Sequence, residues 1–353
     1  MNRFALRPAL ALGLSMLAGL GGCAGSAPPS VLAAPPPPAP AALNQRLQDL
    51  AHGFDGKVGI AVEDVQTGWI AAYDGQTLYP QQSVAKLWTA LALMDAVDRG
   101  LLSLDDPVTV RSADMSVFFQ PIQKMLVDDG YATTLGDLLS RAIAESDNAA
   151  NDILLRKVRG GGAVRRALRQ RGLADIRAGE SERELESRIA GVAWRPEYSF
   201  GTAFWDAREK IPVPVRQARL DAYVADPPDG ATPDAVAKGL SRLERGELLS
   251  PASTARLLQT LSATQTGPLR LKAGLGPGWT IAHKTGTGQD LGDESTGYND
   301  VGLLSAPDGR VYAVAVMIAA TRRPIPEREA LMADVARAVV AEHDAESGLS
   351  GRR

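Results

Sequence analysis

The chain has 353 residues, 45% hydrophobic and 22% charged, with 38 Lys and Arg against 41 Asp and Glu. That length allows two or three domain-sized units with an ample core, and a net charge of −3 lacks the basic excess that binding along nucleic-acid phosphates needs. One Cys excludes an intramolecular disulfide framework and any Cys-rich metal site, and three His give a His-ligated metal little support, so no metal is expected.

In chain order, Arg3 and Arg7 precede an apolar run from Ala9 to Leu20 and the small residues Gly21 and Gly22. This is the pattern of a secretory signal over 1–22, and the run is too short to span a bilayer comfortably as a mature helix. Leu20-Gly21-Gly22-Cys23 resembles a bacterial lipobox, in which the Cys becomes the lipidated first residue of the mature protein, and the only Cys of the chain stands at the end of the apolar run. A diacylated Cys23 would supply the two or more acyl chains that stable anchoring takes. The expectation is a periplasmic protein, secreted across the inner membrane and held to a bacterial membrane by an N-terminal lipid anchor. Residues 24–42 are, apart from Val31 and Leu32, Ala, Pro, Gly and Ser without a charged side chain, including Pro35 to Pro38 and Pro40. Such a stretch is an extended tether, which puts the folded domain at 43–345.

Leu43, Leu47 and Leu50 recur at helical spacing and predict a helix up to His52, ended by Gly53. Val58 to Val62 and Trp69 to Tyr73 flank Val65-Gln66-Thr67-Gly68 as a hairpin. From Ser83 to Lys157 the pattern is mostly helical, over Leu87 to Val97, Leu135 to Ala144 and Ala149 to Val158. Strands return at Trp279 to Lys284, Asp300 to Ser305 and Val311 to Ile318, the last two joined through Pro307-Asp308-Gly309, and a helix from Glu327 to Glu342 closes the chain. Strands at both ends around helices predict an α+β fold. Its antiparallel sheet is built from both chain ends, 43–82 and 235–345, with an all-α domain over 83–234 inserted.

Ser83-Val84-Ala85-Lys86 opens a predicted helix, so Ser and Lys three apart share a face and the Ser meets the positive end of the helix dipole. A desolvated Lys at that end is expected to take the Ser proton as a neutral amine, although Ser-x-x-Lys alone is most often a helix cap with a solvated Lys. Ser146-Asp147-Asn148 follows a helical segment, and Lys284-Thr285-Gly286-Thr287-Gly288 ends a strand. In this order and at these separations the three motifs resemble those of the penicillin-recognising serine enzymes, class A β-lactamases in particular. The resemblance runs from Leu43 to about Val340 and includes Asp105-Asp106-Pro107-Val108, Thr232-Pro233 and Gly246-Glu247-Leu248-Leu249.

The resemblance implies that Ser83 is the acylated nucleophile, Lys86 its proton partner and Ser146 a shuttle to the leaving lactam nitrogen. Asn148 would hold the substrate side chain, and the backbone N–H groups of Ser83 and Thr287 would form the oxyanion hole. Lys284, Thr285, Gly286 and Thr287 would seat the substrate carboxylate. Arg270 stands where some class A members carry the Arg that completes this anion site, while Tyr298 occupies the alternative Arg position. Phe119, two residues before Pro121, matches an aromatic at the pocket mouth, although Phe118-Phe119 reads equally as core.

Deacylation needs a carboxylate that aims a water at the acyl ester, which the family keeps on an omega loop. A gapless count from Gly160 to Gly172 and beyond places Glu182 there, and puts Glu186 where the family usually has an Asn that shares the water. A rival alignment uses Trp194-Arg195-Pro196-Glu197, with Arg195 in place of the key Glu; the Glu182 alignment is preferred because its extra residues fall after the loop. A charge-dense solvated helix face is the plainer reading of 181–188. Residues 189–223 exceed the family's usual length, and their Trp194, Phe200, Phe204 and Trp205 suit a lid or a small packing cluster. The expected function is therefore β-lactam hydrolysis through Ser83 and Glu182, without metal or organic cofactor, in a monomer. The alternative is a penicillin-binding or D-alanyl-D-alanine peptidase-like enzyme acting on cell-wall peptides.

Overall fold

The computed structural model describes residues 35–348; the signal over 1–22 and Cys23 lie outside them. The compact unit that begins at Pro36 starts with α1 (Ala41–His52). Its Leu43, Leu47 and Ala51, four residues apart, are buried on one face. β1 (Gly56–Asp64) and β2 (Ile70–Tyr73) form the expected hairpin. Its turn is fixed by Asp64, whose Oδ1 accepts from the backbone N–H of Gln66 at 2.9 Å and of Thr67 at 2.7 Å.

β3 (Tyr79–Pro80) then leads into a 3-10 turn, Gln82–Ala85, and only at Lys86 does α2 (Lys86–Asp98) begin. Ser83 thus precedes the α-helix rather than opening it. Lys86 through Met94 are all buried, so α2 is enclosed on every side. Beyond it come β4 (Pro107–Val110), β5 (Tyr131–Thr134), α3 (Leu135–Ser140), α4 (Asn148–Lys157), α5 (Gly161–Gln170), α6 (Glu182–Ala190), α7 (Ala203–Glu209) and α8 (Val213–Ala225). The inserted segment is therefore not all helical: β4 pairs with β5, and β6 (Gly230–Ala231) pairs with β3. α9 (Pro233–Glu244), α10 (Pro251–Ser262), β7 (Thr280–Gly286), β8 (Asp290–Leu291), β9 (Glu294–Ser305), β10 (Val311–Thr321) and α11 (Ile325–Glu346) complete the chain.

The main sheet runs β2-β1-β10-β9-β7, antiparallel throughout, with β8 turned back onto the start of β9. Alternation along β1 sorts its two faces. Ile60 and Val62 pack with α1 and α11 in one core, whereas Ala61 joins α2 and α9 in the other. The small Gly239 brings α9 close to α2, since a Cβ there would lie 3.0 Å from the Trp88 ring. β7 is left at the sheet edge, beside the 3-10 turn that carries Ser83. Among the described residues, no helix is long and apolar enough to cross a membrane.

Candidate active site

Lys86 is almost fully buried, and its Nζ lies 2.9 Å from Ser83 Oγ, 2.8 Å from Ser146 O and 2.5 Å from Asn148 Oδ1. Spacing brings in the first partner, because a 3-10 turn followed by the start of a helix sets residues i and i+3 side by side. The others are delivered by a π turn, Arg141–Glu145, which ends with Ser146 in the left-handed region at φ 65°. Asp147 then caps α4 by accepting from Ala150 N–H, which fixes Asn148 on the first turn. Gln82, next to Ser83, also has a positive φ of 54°. Non-glycine residues in this region persist only where their surroundings hold them.

From the opposite side, the edge strand β7 presents Lys284, whose Nζ donates to Ser146 Oγ and to Thr285 O, both at 2.9 Å. Ser146 therefore stands between two lysines. Burial, then the neighbouring charge of Lys86, holds the Lys284 ammonium well below its usual range. Gly286 is a glycine by necessity, since a Cβ there would meet Gln81 O at 2.3 Å. Arg270 is buried behind the end of this strand. It donates to Gly286 O at 3.0 Å, Asn299 O at 2.6 Å and Thr287 Oγ1 at 2.7 Å, with its guanidinium 3.8 Å from the Tyr298 ring centre. Tyr298 at the alternative position thus becomes the shelf on which Arg270 lies.

Of the two loop alignments, the geometry brings Glu182 to Ser83 and leaves the other outside. Glu182 Oε1 lies 3.8 Å from Lys86 Nζ and accepts from Asn151 Nδ2 at 3.2 Å. Arg195 and Glu197 form an exposed pair 3.8 Å apart. The charge-dense helix is not simply a solvated face, because Glu182 and Glu186 are both buried. Asp152, one residue after Asn151, accepts from Glu182 N–H at 2.7 Å and from Ser116 Oγ at 2.7 Å, so it docks the N-terminus of α6 onto α4. Burial and the Glu182 charge push Asp152 up to about 7. Glu186 accepts from Gln289 Nε2 at 2.7 Å and is pushed up to about 8, chiefly by burial.

Phe119 stands at the mouth, 57% exposed, while its carbonyl accepts from Asn148 N–H at 2.9 Å. Its neighbour Phe118, at φ 60°, also lines the cavity and stacks on Trp205 of the long insertion, ring centres 5.0 Å apart. Phe204 is buried with Val117 and Ala190. The insertion is therefore a packed aromatic cluster propping the Phe118–Phe119 loop.

Ser83, Phe119, Ser146, Asn148, Glu182 and Glu186 line one cavity of about 290 Å³, with Thr266, Arg270, Thr285 and Thr287 opposite. Sequence reasoning missed Asn151, Asp152, Gln289 and Thr266. Asn151 could have been found, since it stands one turn beyond Asn148 on the same helix; the other three are assembled by tertiary contacts. Among the described residues, no group of three or more His, Cys, Asp or Glu is placed to hold a metal ion.

The model of the beta-lactamase enzyme family matches residues 42–343. The extended-spectrum beta-lactamase PER-1 of Pseudomonas aeruginosa is 27% identical over 300 residues, covering 83% of this chain and 85% of its own. Among solved structures, a beta-lactamase from Chitinophaga pinensis superposes with a TM-score of 0.70 at 27% identity, over 85% of this chain and 99% of its own. An ancestral class A beta-lactamase gives 0.67 at 31% identity, over 85% and 99%.

Proposed function

Because this chain belongs to the beta-lactamase enzyme family, among the class A penicillin-recognising serine enzymes, we propose that it hydrolyses β-lactams through an acyl-enzyme on Ser83 that Glu182 helps to discharge. Ser83 Oγ attacks the lactam carbonyl as Lys86 accepts its proton. The backbone N–H groups of Ser83 and Thr287 take the charge that develops on the carbonyl oxygen. The C–N bond then breaks, and Ser146 gives its hydroxyl proton to the departing nitrogen and is reprotonated from the lysines beside it. In the second half, a water next to Glu182 loses a proton to the carboxylate and attacks the ester carbonyl. The Ser83–acyl bond breaks, the proton returns to Ser83 Oγ, and the product is the opened amino acid. Arg270, Thr285 and Thr287 form the wall suited to a substrate carboxylate, and no step calls on a metal or an organic cofactor.

The observation that carries this reading is the 3.8 Å between Glu182 Oε1 and Lys86 Nζ on the wall of the Ser83 cavity. A buried carboxylate there favours turnover over the lasting adduct of a penicillin-binding or D-alanyl-D-alanine peptidase-like enzyme. The test is intact-mass analysis of the protein mixed with a penicillin and followed in time. The parent should show an adduct that forms and clears. Glu182→Ala should acylate and stall, with clearance slowed by roughly two to four orders of magnitude, and Ser83→Ala should never acylate. A parent that keeps its adduct would favour the peptidase-like reading; a Glu182→Ala that clears at the parent rate would remove Glu182 from the mechanism. We further propose that the enzyme is lipid-anchored through Cys23 in the periplasm, a reading supported by the sole Cys at the end of the apolar run.

A further inference from the structure

A second cavity, of about 470 Å³, lies at the far end of α2, where the helix end meets the close of α4 and the exposed face of α5. Ala96 is roughly 15 Å along the α2 axis from Lys86, at 1.5 Å per residue, so this cavity is separate from the one at Ser83. Its make-up is two-sided. Ala96, Leu102, Val158 and Ala167 supply apolar surface, with Leu101 largely exposed at the lip. Arg99, Lys157, Arg159 and Arg166 supply four cations, against one carboxylate, Asp95.

That carboxylate is already committed, since Asp95 pairs with Arg171 and with Arg99 at 3.6 Å. No carboxylate of the described residues pairs with Lys157, Arg159 or Arg166. Three uncompensated cations around one concavity repel one another and concentrate a positive potential in it, although the whole chain carries −3. A bound anion relieves that repulsion. The planar forks of Arg159 and Arg166 suit a phosphate held by paired hydrogen bonds, while the alanines and leucines suit an aliphatic chain. The volume lies within the range of small-ligand sites.

We propose that this cavity is a binding site for an anionic amphiphile, with a phosphate head on Lys157, Arg159 and Arg166 and a short acyl portion over Ala96, Leu102 and Val158. The ligand class is that of phosphorylated lipids. Neither half suffices alone: a bare anion leaves the apolar surface wet, and a neutral lipid leaves the cations uncompensated.

The test is calorimetric titration of the full chain with monomeric dihexanoyl phosphatidate, beside inorganic phosphate and zwitterionic dihexanoyl phosphatidylcholine. Saturable binding of the phosphatidate is expected, at least tenfold tighter than that of either comparator. The double variant Arg159→Ala/Arg166→Ala should weaken it at least tenfold while melting within a few degrees of the parent. Lys157→Glu is the second variant, and should weaken binding similarly by reversing a charge on an exposed side chain. Absence of phosphatidate binding overturns the proposal, as does binding unchanged in both variants. Equal affinity for inorganic phosphate removes the acyl half, and equal affinity for the zwitterionic lipid removes the phosphate half; either result rejects the site as described.

Discussion

Glu186 follows Glu182 by one helical turn, and both carboxyls face the cavity at Ser83. The charges facing Glu186 are Glu182 on its own helix, Asp229, Lys86 and, more distantly, Arg208. Burial dominates, and the carboxyl moves from an ordinary 4.5 to about 8. Between those two values the folded protein holds a proton that the unfolded chain releases, so stability falls as pH rises through that window and levels off above it. Asp152, pushed up to about 7, and Asp229, pushed up to about 6, slope the same way over the lower part of the window. Glu186→Gln cannot ionise, and those two carboxyls stay in both proteins, so the comparison isolates one group. The variant should melt at nearly the parent temperature at pH 5 and a few degrees above it at pH 9. Parallel melting profiles over that range would show that Glu186 does not carry this proton. Ionised Glu186 also sets a second negative charge against Glu182, so the parent should lose deacylation rate above about pH 8 while Glu186→Gln keeps it.

At the scale of elements, the insertion after α6 earns its aromatic content by supporting the mouth of the site. Phe204 meets Phe118 edge-on with ring centres 4.9 Å apart, and Trp205 stacks on Phe118 and touches Phe204, so the three rings form one mutual cluster. Phe204→Ala removes a nearly fully buried ring and should cost roughly 3 to 5 kcal/mol, read by denaturant unfolding. Trp205→Ala, at a half-exposed position, should leave the fold intact and raise KM more than it lowers kcat, because what loosens is the loop bearing Phe119. If both variants matched the parent in unfolding and in KM, the cluster would have no part in shaping the mouth. Elements with strong local periodicity or a long apolar run were legible beforehand: α1, the β1–β2 hairpin, the uniformly apolar α2, β10 and α11 fall within a few residues of expectation. The start of β9 was not, because Ser295, Thr296 and Asn299 are buried polar residues that break apolar alternation. β4, β5 and the π turn before Ser146 also escaped notice, since a four-residue ladder and one widened turn are set by distant partners rather than by local pattern. The site followed the same division. Ser83, Lys86 and Asn148 are placed by spacing along a helix start, whereas Asp152 matters only because α6 folds back over α4, and Gln289 only because α6 also meets the turn after β7.

For the molecule as a whole, the sheet separates two tasks. Its face toward α2 and α9 belongs to the core that supports the Ser83 cavity, and its other face belongs to α1 and α11, whose core meets the site at Tyr298, the ring under Arg270. Ala42, Leu43 and Arg46 at the start of α1 share a groove with Ala341, Glu342 and Ala345 near the end of α11. The chain thus leaves the fold beside the place where it enters, so its order of threading is separable from its architecture. A rearranged gene that joins residue 348 to residue 36 through a short flexible linker and opens the backbone at Gly246 should yield the same enzyme. Gly246 lies between α9 and α10, where even an added Cβ would meet nothing within 4 Å. Such a permutant should acylate and clear penicillin at near the parent rate, because every group around Ser83 keeps its neighbours while only the order in which they are synthesised has changed.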